Sequence, residues 1–116
     1  MEKHTFLWKI FNMNLIIEKI KGLQIENFKE VEDYFQIAFK DNVILTIYND
    51  ISIVGIDLKE AESLKGLLIE NVVITDDFLE LWLSNNFVIK IDLRDVAYHY
   101  PEAMILYLPN KQIITW

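Results

Sequence analysis

Few residues in this chain have the types and spacing that chemistry requires. The two histidines are His4 and His99. His99 sits in Asp95-Val96-Ala97-Tyr98-His99-Tyr100-Pro101, close to Asp92 and Arg94. Imidazole titrates near neutrality, so His99 beside a carboxylate is a candidate general base or a contact in a binding loop. Equally, it could be a loop histidine that hydrogen-bonds locally. Asp92 and Asp95 flank Arg94, an arrangement in which a cation could tune one acid against another. The same residues also read as surface salt bridges at a strand end. The chain has no cysteine, which excludes disulfides, a thiolate nucleophile and a zinc-thiolate site. It contains no phosphate loop, nucleophile elbow or metal-ligand spacing. Of its three glycines, two fall at predicted helix ends, leaving Gly55 for any backbone that must approach a ligand. The expectation is a protein that is not an enzyme, with no cofactor and no metal.

Binding chemistry is better represented. Glu30-Val31-Glu32-Asp33 and Thr75-Asp76-Asp77 are acidic turns. They read as solvated turns or as an electrostatic patch that speeds association with a basic partner. Tyr34, Tyr48, Phe78 and Trp82 fall on strand positions opposite the expected core, among Gln36, Thr46, Glu80 and Lys90. One wet face of an antiparallel sheet should be polar, so such aromatics call for a cover, a second subunit or a partner. The candidate partner-binding residues are therefore Glu30, Glu32, Asp33, Tyr34, Asp76, Asp77, Phe78, Glu80, Trp82, Tyr98 and His99.

An internal repeat supplies the elements that position these groups. Lys21-Gly22-Leu23-Gln24-Ile25-Glu26-Asn27 returns as Lys65-Gly66-Leu67-Leu68-Ile69-Glu70-Asn71, an offset of 44. Positions 21 to 50 and 65 to 94 share 9 identities in 30, including Asp33 with Asp77, Asn42 with Asn86 and Ile47 with Ile91. Each copy predicts a short helix and three strands, the copies spanning about 13–50 and 57–94. The helices are Met13 to Lys21, with Asn12 or Asn14 as cap, and Leu58 to Lys65, with Asp57 as cap. Met13, Ile16, Ile17 and Ile20 lie on one helical face. Gly22 and Gly66 stand where a helix end takes a left-handed residue.

The strands are Leu23 to Asn27, Tyr34 to Phe39 and Val43 to Tyr48, then Leu67 to Asn71, Phe78 to Leu83 and Phe87 to Asp92. Alternation turns Phe35, Ile37, Phe39, Val43, Leu45 and Ile47 inward, with Leu79, Leu81, Leu83, Phe87, Ile89 and Ile91 in the second copy. Keeping those faces together requires three-residue loops, Lys40-Asp41-Asn42 and Ser84-Asn85-Asn86, each with a left-handed Asn last. Ala103 to Leu108 and Gln112 to Trp116 form a closing hairpin around Pro109-Asn110. Thr5 to Phe11 alternates weakly and suggests another strand. Ile51 to Ile56 reads as an apolar linker or an extension of the third strand. The fold class is mostly β (α+β): two tandem three-stranded meanders, each preceded by a short helix, plus a C-terminal hairpin. All of it belongs to one domain, 1–116, around one core.

Composition bounds the rest. The 116 residues are 53% hydrophobic with a net charge of -7. A chain of this size buries about two-thirds of its surface on folding, and this one has the apolar residues to do so. The acidic balance argues against a nucleic-acid partner. No apolar run approaches the roughly 18 residues of a membrane helix, and no targeting segment is convincing. The expected location is cytoplasmic, without membrane attachment.

Two stretches carry a resemblance. One is Leu64-Lys65-Gly66-Leu67-Leu68-Ile69, a doubled glycine-centred pattern leading into an alternating hairpin. The other is Tyr100-Pro101-Glu102-Ala103-Met104-Ile105-Leu106-Tyr107-Leu108-Pro109, ending Ile113-Ile114-Thr115-Trp116. Over roughly residues 12 to 116 the chain resembles small bacterial immunity proteins of polymorphic-toxin and contact-dependent growth inhibition systems. The resemblance implies a toxin-neutralising protein whose partner is a cognate toxin C-terminal domain, often a nuclease. The alternative is a small self-associating module, a homodimer that buries the outer aromatics.

Overall fold

The computed structural model describes residues 2–116, with side chains from residue 8 onward. Helix α1 (Glu2–Ile20) is followed by strands β1 (Ile25–Val31), β2 (Tyr34–Phe39), β3 (Val43–Ile47) and β4 (Ile51–Val54). A 3-10 segment, Leu58–Leu64, leads to β5 (Ile69–Ile74), β6 (Phe78–Leu83) and β7 (Val88–Asp92). The short turn Asp95–Ala97 precedes β8 (Met104–Tyr107) and β9 (Ile113–Thr115). The protein is mostly β with antiparallel pairing throughout, in two sheets ordered β1-β2-β3-β8-β9 and β4-β7-β6-β5.

Two helical expectations change. Thr5 to Phe11 is helix, not strand. Neither proline nor glycine interrupts residues 2–20, so one helix runs 19 residues until Gly22, at φ +88, ends it. Asn12 caps nothing; inside the helix, it donates to the Thr115 carbonyl at 3.0 Å. The second helix tightens to 3-10, and Asp57 makes no side-chain capping bond there.

The hairpin registers follow the faces. Phe39 stands opposite Val43 and Ile37 opposite Leu45, with Asn42 at φ +62. Leu83 accepts from Asn86 and donates to Phe87, with Asn86 at φ +71. Pro109-Asn110 are the central pair of a turn that Lys111 closes onto Leu108 at 3.1 Å. β1 and β5 start later than alternation suggests and each carries a bulge, after Ile25 and after Ile69. The bulge adds a residue, so the buried positions become Ile25 then Phe28, and Ile69 then Val72.

The two copies are joined as a pseudo-dimer. Gly22 N–H donates to the Ile69 carbonyl at 2.7 Å, and Gly66 N–H to the Ile25 carbonyl at 2.7 Å. Ile25 donates to Leu67 and Ile69 to Leu23, both at 2.8 Å. Gln24 and Leu68, equivalent in the two copies, form a bridge at the centre. Ile51 to Ile56 is therefore no extension of β3. β4 leaves the first copy and pairs with β7, Ile51 opposite Ile91. β8 leaves the second copy and pairs with β3, Met104 opposite Ile47. Each copy gives its fourth strand to the other.

One cluster of buried side chains draws on both copies: Ile16, Ile20, Ile37, Leu45, Ile47 and Leu106 with Leu64, Ile69, Leu79, Leu81, Ile89 and Ile91. Leu106, fully buried in an exchanged strand, should be costly to truncate. Leu106→Ala is expected to lose about 2–5 kcal/mol in urea unfolding. Gly55, at φ +119, has the Phe87 ring 2.3 Å from where a Cβ would sit, whereas Gly66, at φ +92, has open space. Gly55→Ala should lower the melting temperature more than Gly66→Ala; equal shifts would contradict this packing.

Candidate functional site

The two ends of the pseudo-dimer differ in chemistry although equivalent strands build them. At the first end, the β1–β2 turn places Glu30, Glu32 and Asp33 across from His99 and Tyr100 on the β7–β8 connection. These five residues line a cleft of about 510 Å³. Glu32 holds the turn in a left-handed conformation, φ +53. Tyr34 and Tyr48 stack edge to face at 5.4 Å, and Tyr48 meets Tyr100 at 4.9 Å. The cleft thus has a row of three tyrosines beside it. The Tyr48 hydroxyl titrates above its ordinary value, chiefly because of burial, then because of Tyr107, Tyr34, Glu102 and Tyr100.

His99 does not find its carboxylate where the sequence spacing suggested. Its Nε2 lies 2.7 Å from Oδ1 of Asp50, which is 49 positions away on the β3–β4 connection. Asp92 instead accepts three hydrogen bonds from the Arg94 side chain, the shortest at 2.6 Å, and one from the Arg94 amide. The Arg94 bonds hold the Asp92 carboxyl below the usual carboxylate range, against the opposing pull of burial. The Asp92–Asp95–His99 constellation is therefore not assembled: Asp92 serves Arg94, and His99 serves Asp50.

At the second end the equivalent positions are occupied by a charge-paired network. Phe78, in the place of Tyr34, has Lys90 Nζ 4.3 Å above its ring and the Arg94 guanidinium at 5.4 Å. Such contacts are favourable through the ring quadrupole. Lys90 also pairs with Glu80 at 3.9 Å, and the Trp82 indole donates to Glu80 at 3.1 Å. Arg94 feels the Asp77 charge in addition to that of Asp92. Glu30, Glu32 and Asp33 join no ion pair among the described residues.

The structure thus gathers Glu30, Glu32, Asp33, Tyr34 and His99 at one end. Asp77, Phe78, Glu80 and Trp82 belong to the other, with Asp76 in its β5–β6 turn. Tyr34, Tyr48 and Phe78 are half-buried in these local contacts rather than open on an outer face, and Trp82 alone of the four is 44% exposed. Tyr98 is half-buried. It packs against the core, and burial raises its hydroxyl pKa. Sequence reasoning missed Tyr100 as a cleft residue and Asp50 as the partner of His99, because only the strand exchange brings them there. It also missed Trp8 and Phe11, which α1 leaves 51% and 62% exposed. Among the described residues, no three acidic or histidine side chains gather as a metal site, and no helix is long and apolar enough to cross a membrane.

Comparison with family models, with curated proteins and with solved structures found no match.

The Asp92–Arg94 pair predicts a pH signature. Asp92 has a lowered folded pKa, so its stabilisation is present above the ordinary carboxylate range and is lost as pH falls through the folded value. Asp92→Asn should be less stable than the parent at neutral pH, and the gap should close in strongly acidic buffer. Urea titrations at both pH values measure it; a gap independent of pH would refute the pairing.

Proposed function

We propose that this chain is a non-enzymatic binding protein of the cytoplasm that neutralises a basic toxin domain of the polymorphic-toxin type. The observation that carries the reading is the asymmetry of the two ends. The first end holds an open cleft with Glu30, Glu32 and Asp33 beside three tyrosine rings, while at the second end Phe78 lies under Lys90 and Arg94, Lys90 pairs with Glu80, and Asp77 lies in the field of Arg94. A carboxylate-rimmed cleft with Tyr100 in its lining suits arginine and lysine side chains, since carboxylates pair with them and rings attract their charge. The net charge of -7 adds long-range attraction toward a basic partner. The resemblance to immunity proteins supplies the partner class, a toxin C-terminal domain such as a nuclease.

The test is rescue. The toxin domain encoded by the adjacent open reading frame is expressed with and without this protein, and surviving cells are counted. The reading predicts killing, its relief by this protein, and a one-to-one complex on a sizing column. Glu32→Lys together with Asp33→Lys should slow association by about tenfold or more at low salt. Asp77→Lys should slow it less, because Asp77 lies in the field of Arg94. Toxicity without rescue, or equal effects from both ends, would overturn the reading.

A further inference from the structure

The pseudo-symmetry exposes one vacancy, and it is independent of the toxin reading. β8 and β4 are equivalent exchanged strands: Met104 stands opposite Ile47, and Ile51 opposite Ile91, its repeat partner. β8 is covered on its far side by β9, with Leu106 opposite Ile114. β4 ends its sheet, and among the described residues no strand pairs beyond it.

The backbone shows which groups are left over. Asp92 N–H donates to the Asp50 carbonyl, as Tyr48 N–H donates to the equivalent Ala103 carbonyl. Alternation then turns the amides and carbonyls of Ile51 and Ile53 away from β7. Their counterparts in β8 do find partners: Met104 exchanges bonds with Trp116 across the β8–β9 ladder. The side chains agree. Met104 and Leu106 are fully buried, whereas Ile51 and Ile53 are only partly covered.

We propose that the outer edge of β4 is a self-association site, occupied by β4 of a second copy of this chain. A two-fold axis through Ser52 sets Ile51 against the other copy's Ile53 and Ser52 against itself. Both isoleucines then face the core, and four backbone hydrogen bonds form between inwardly matched residues. The second copy's Ile51 takes the place beside Ile53 that Ile114 takes beside Leu106. The strand from Ile51 to Val54 has no charge and no proline, the features by which sheet edges ordinarily resist pairing. The two four-stranded sheets thereby join into one.

Light scattering and sedimentation of the full chain test the proposal. The expected mass is twice 13.8 kDa at high micromolar concentration. Ser52→Lys sets like charges opposite each other across the axis and should weaken the dimer at least about tenfold. Ile53→Pro removes an N–H that faces the free edge and spares the β7 ladder, so it should give a folded monomer. Circular dichroism verifies folding of both variants; if Ile53→Pro unfolds, Ser52→Lys decides. A monomer at every concentration overturns the proposal. So does a dimer that both variants leave intact, or one that dissociates only with Trp82→Lys.

Discussion

Everything in this fold rests on backbone exchange between two sequence-related halves. Gly22 with Ile69 and Gly66 with Ile25 make the same hydrogen bond in opposite directions. The two glycines are at φ +88 and +92, a conformation that costs glycine little and other residues more. Their amides are the first to leave the preceding helical segments, and at that point each chain direction reverses into a strand. The exchange of β4 and β8 then ties each sheet to the other half. Neither sheet holds only strands of its own copy, so neither copy can complete its sheet alone.

This arrangement explains which parts of the fold were legible. Phe39 with Val43 follows from side-chain alternation alone, because a two-residue loop would have mixed buried and exposed faces. The repeat itself was legible because turn residues recur with the apolar ones, Gly22 with Gly66 and Asn42 with Asn86. The exchange was not. An apolar strand such as Ile51 to Val54 carries no mark of the sheet it joins. The bulges hid for a related reason: Ile25 and Phe28 are three apart, a spacing that alternation alone does not generate. Thr5 to Phe11 misled because a dense run of apolar residues satisfies strand and helix periods at once, and length decided for the helix.

The candidate site was legible by type and not by neighbourhood. Glu30, Glu32 and Asp33 are adjacent in sequence, so their cluster needed no fold. His99 reaches Asp50 only because the two inter-copy connections, after β3 and after β7, run side by side. The same crossing carries Tyr48 to Tyr100. Divergence between matched positions is informative here. Tyr34 corresponds to Phe78, Tyr48 to Asp92 and Asp50 to Arg94. One end of the pseudo-symmetric scaffold keeps stacked tyrosine rings beside an acidic turn, while the other converts the matched positions into contacts with Lys90 and Arg94.

The interlocking of the halves is the claim on which both the cleft and the open β4 edge depend. Native-state hydrogen exchange of the Gly22, Ile25, Gly66 and Ile69 amides tests it most directly, with the β3–β8 and β4–β7 ladder amides followed in the same experiment. The account predicts that all of them exchange only through global unfolding, with one shared free energy and one shared denaturant dependence. If amides of the β1–β2–β3 hairpins and those of β5–β6–β7 instead opened at different free energies, the halves would unfold separately, and the exchanged pseudo-dimer would be contradicted.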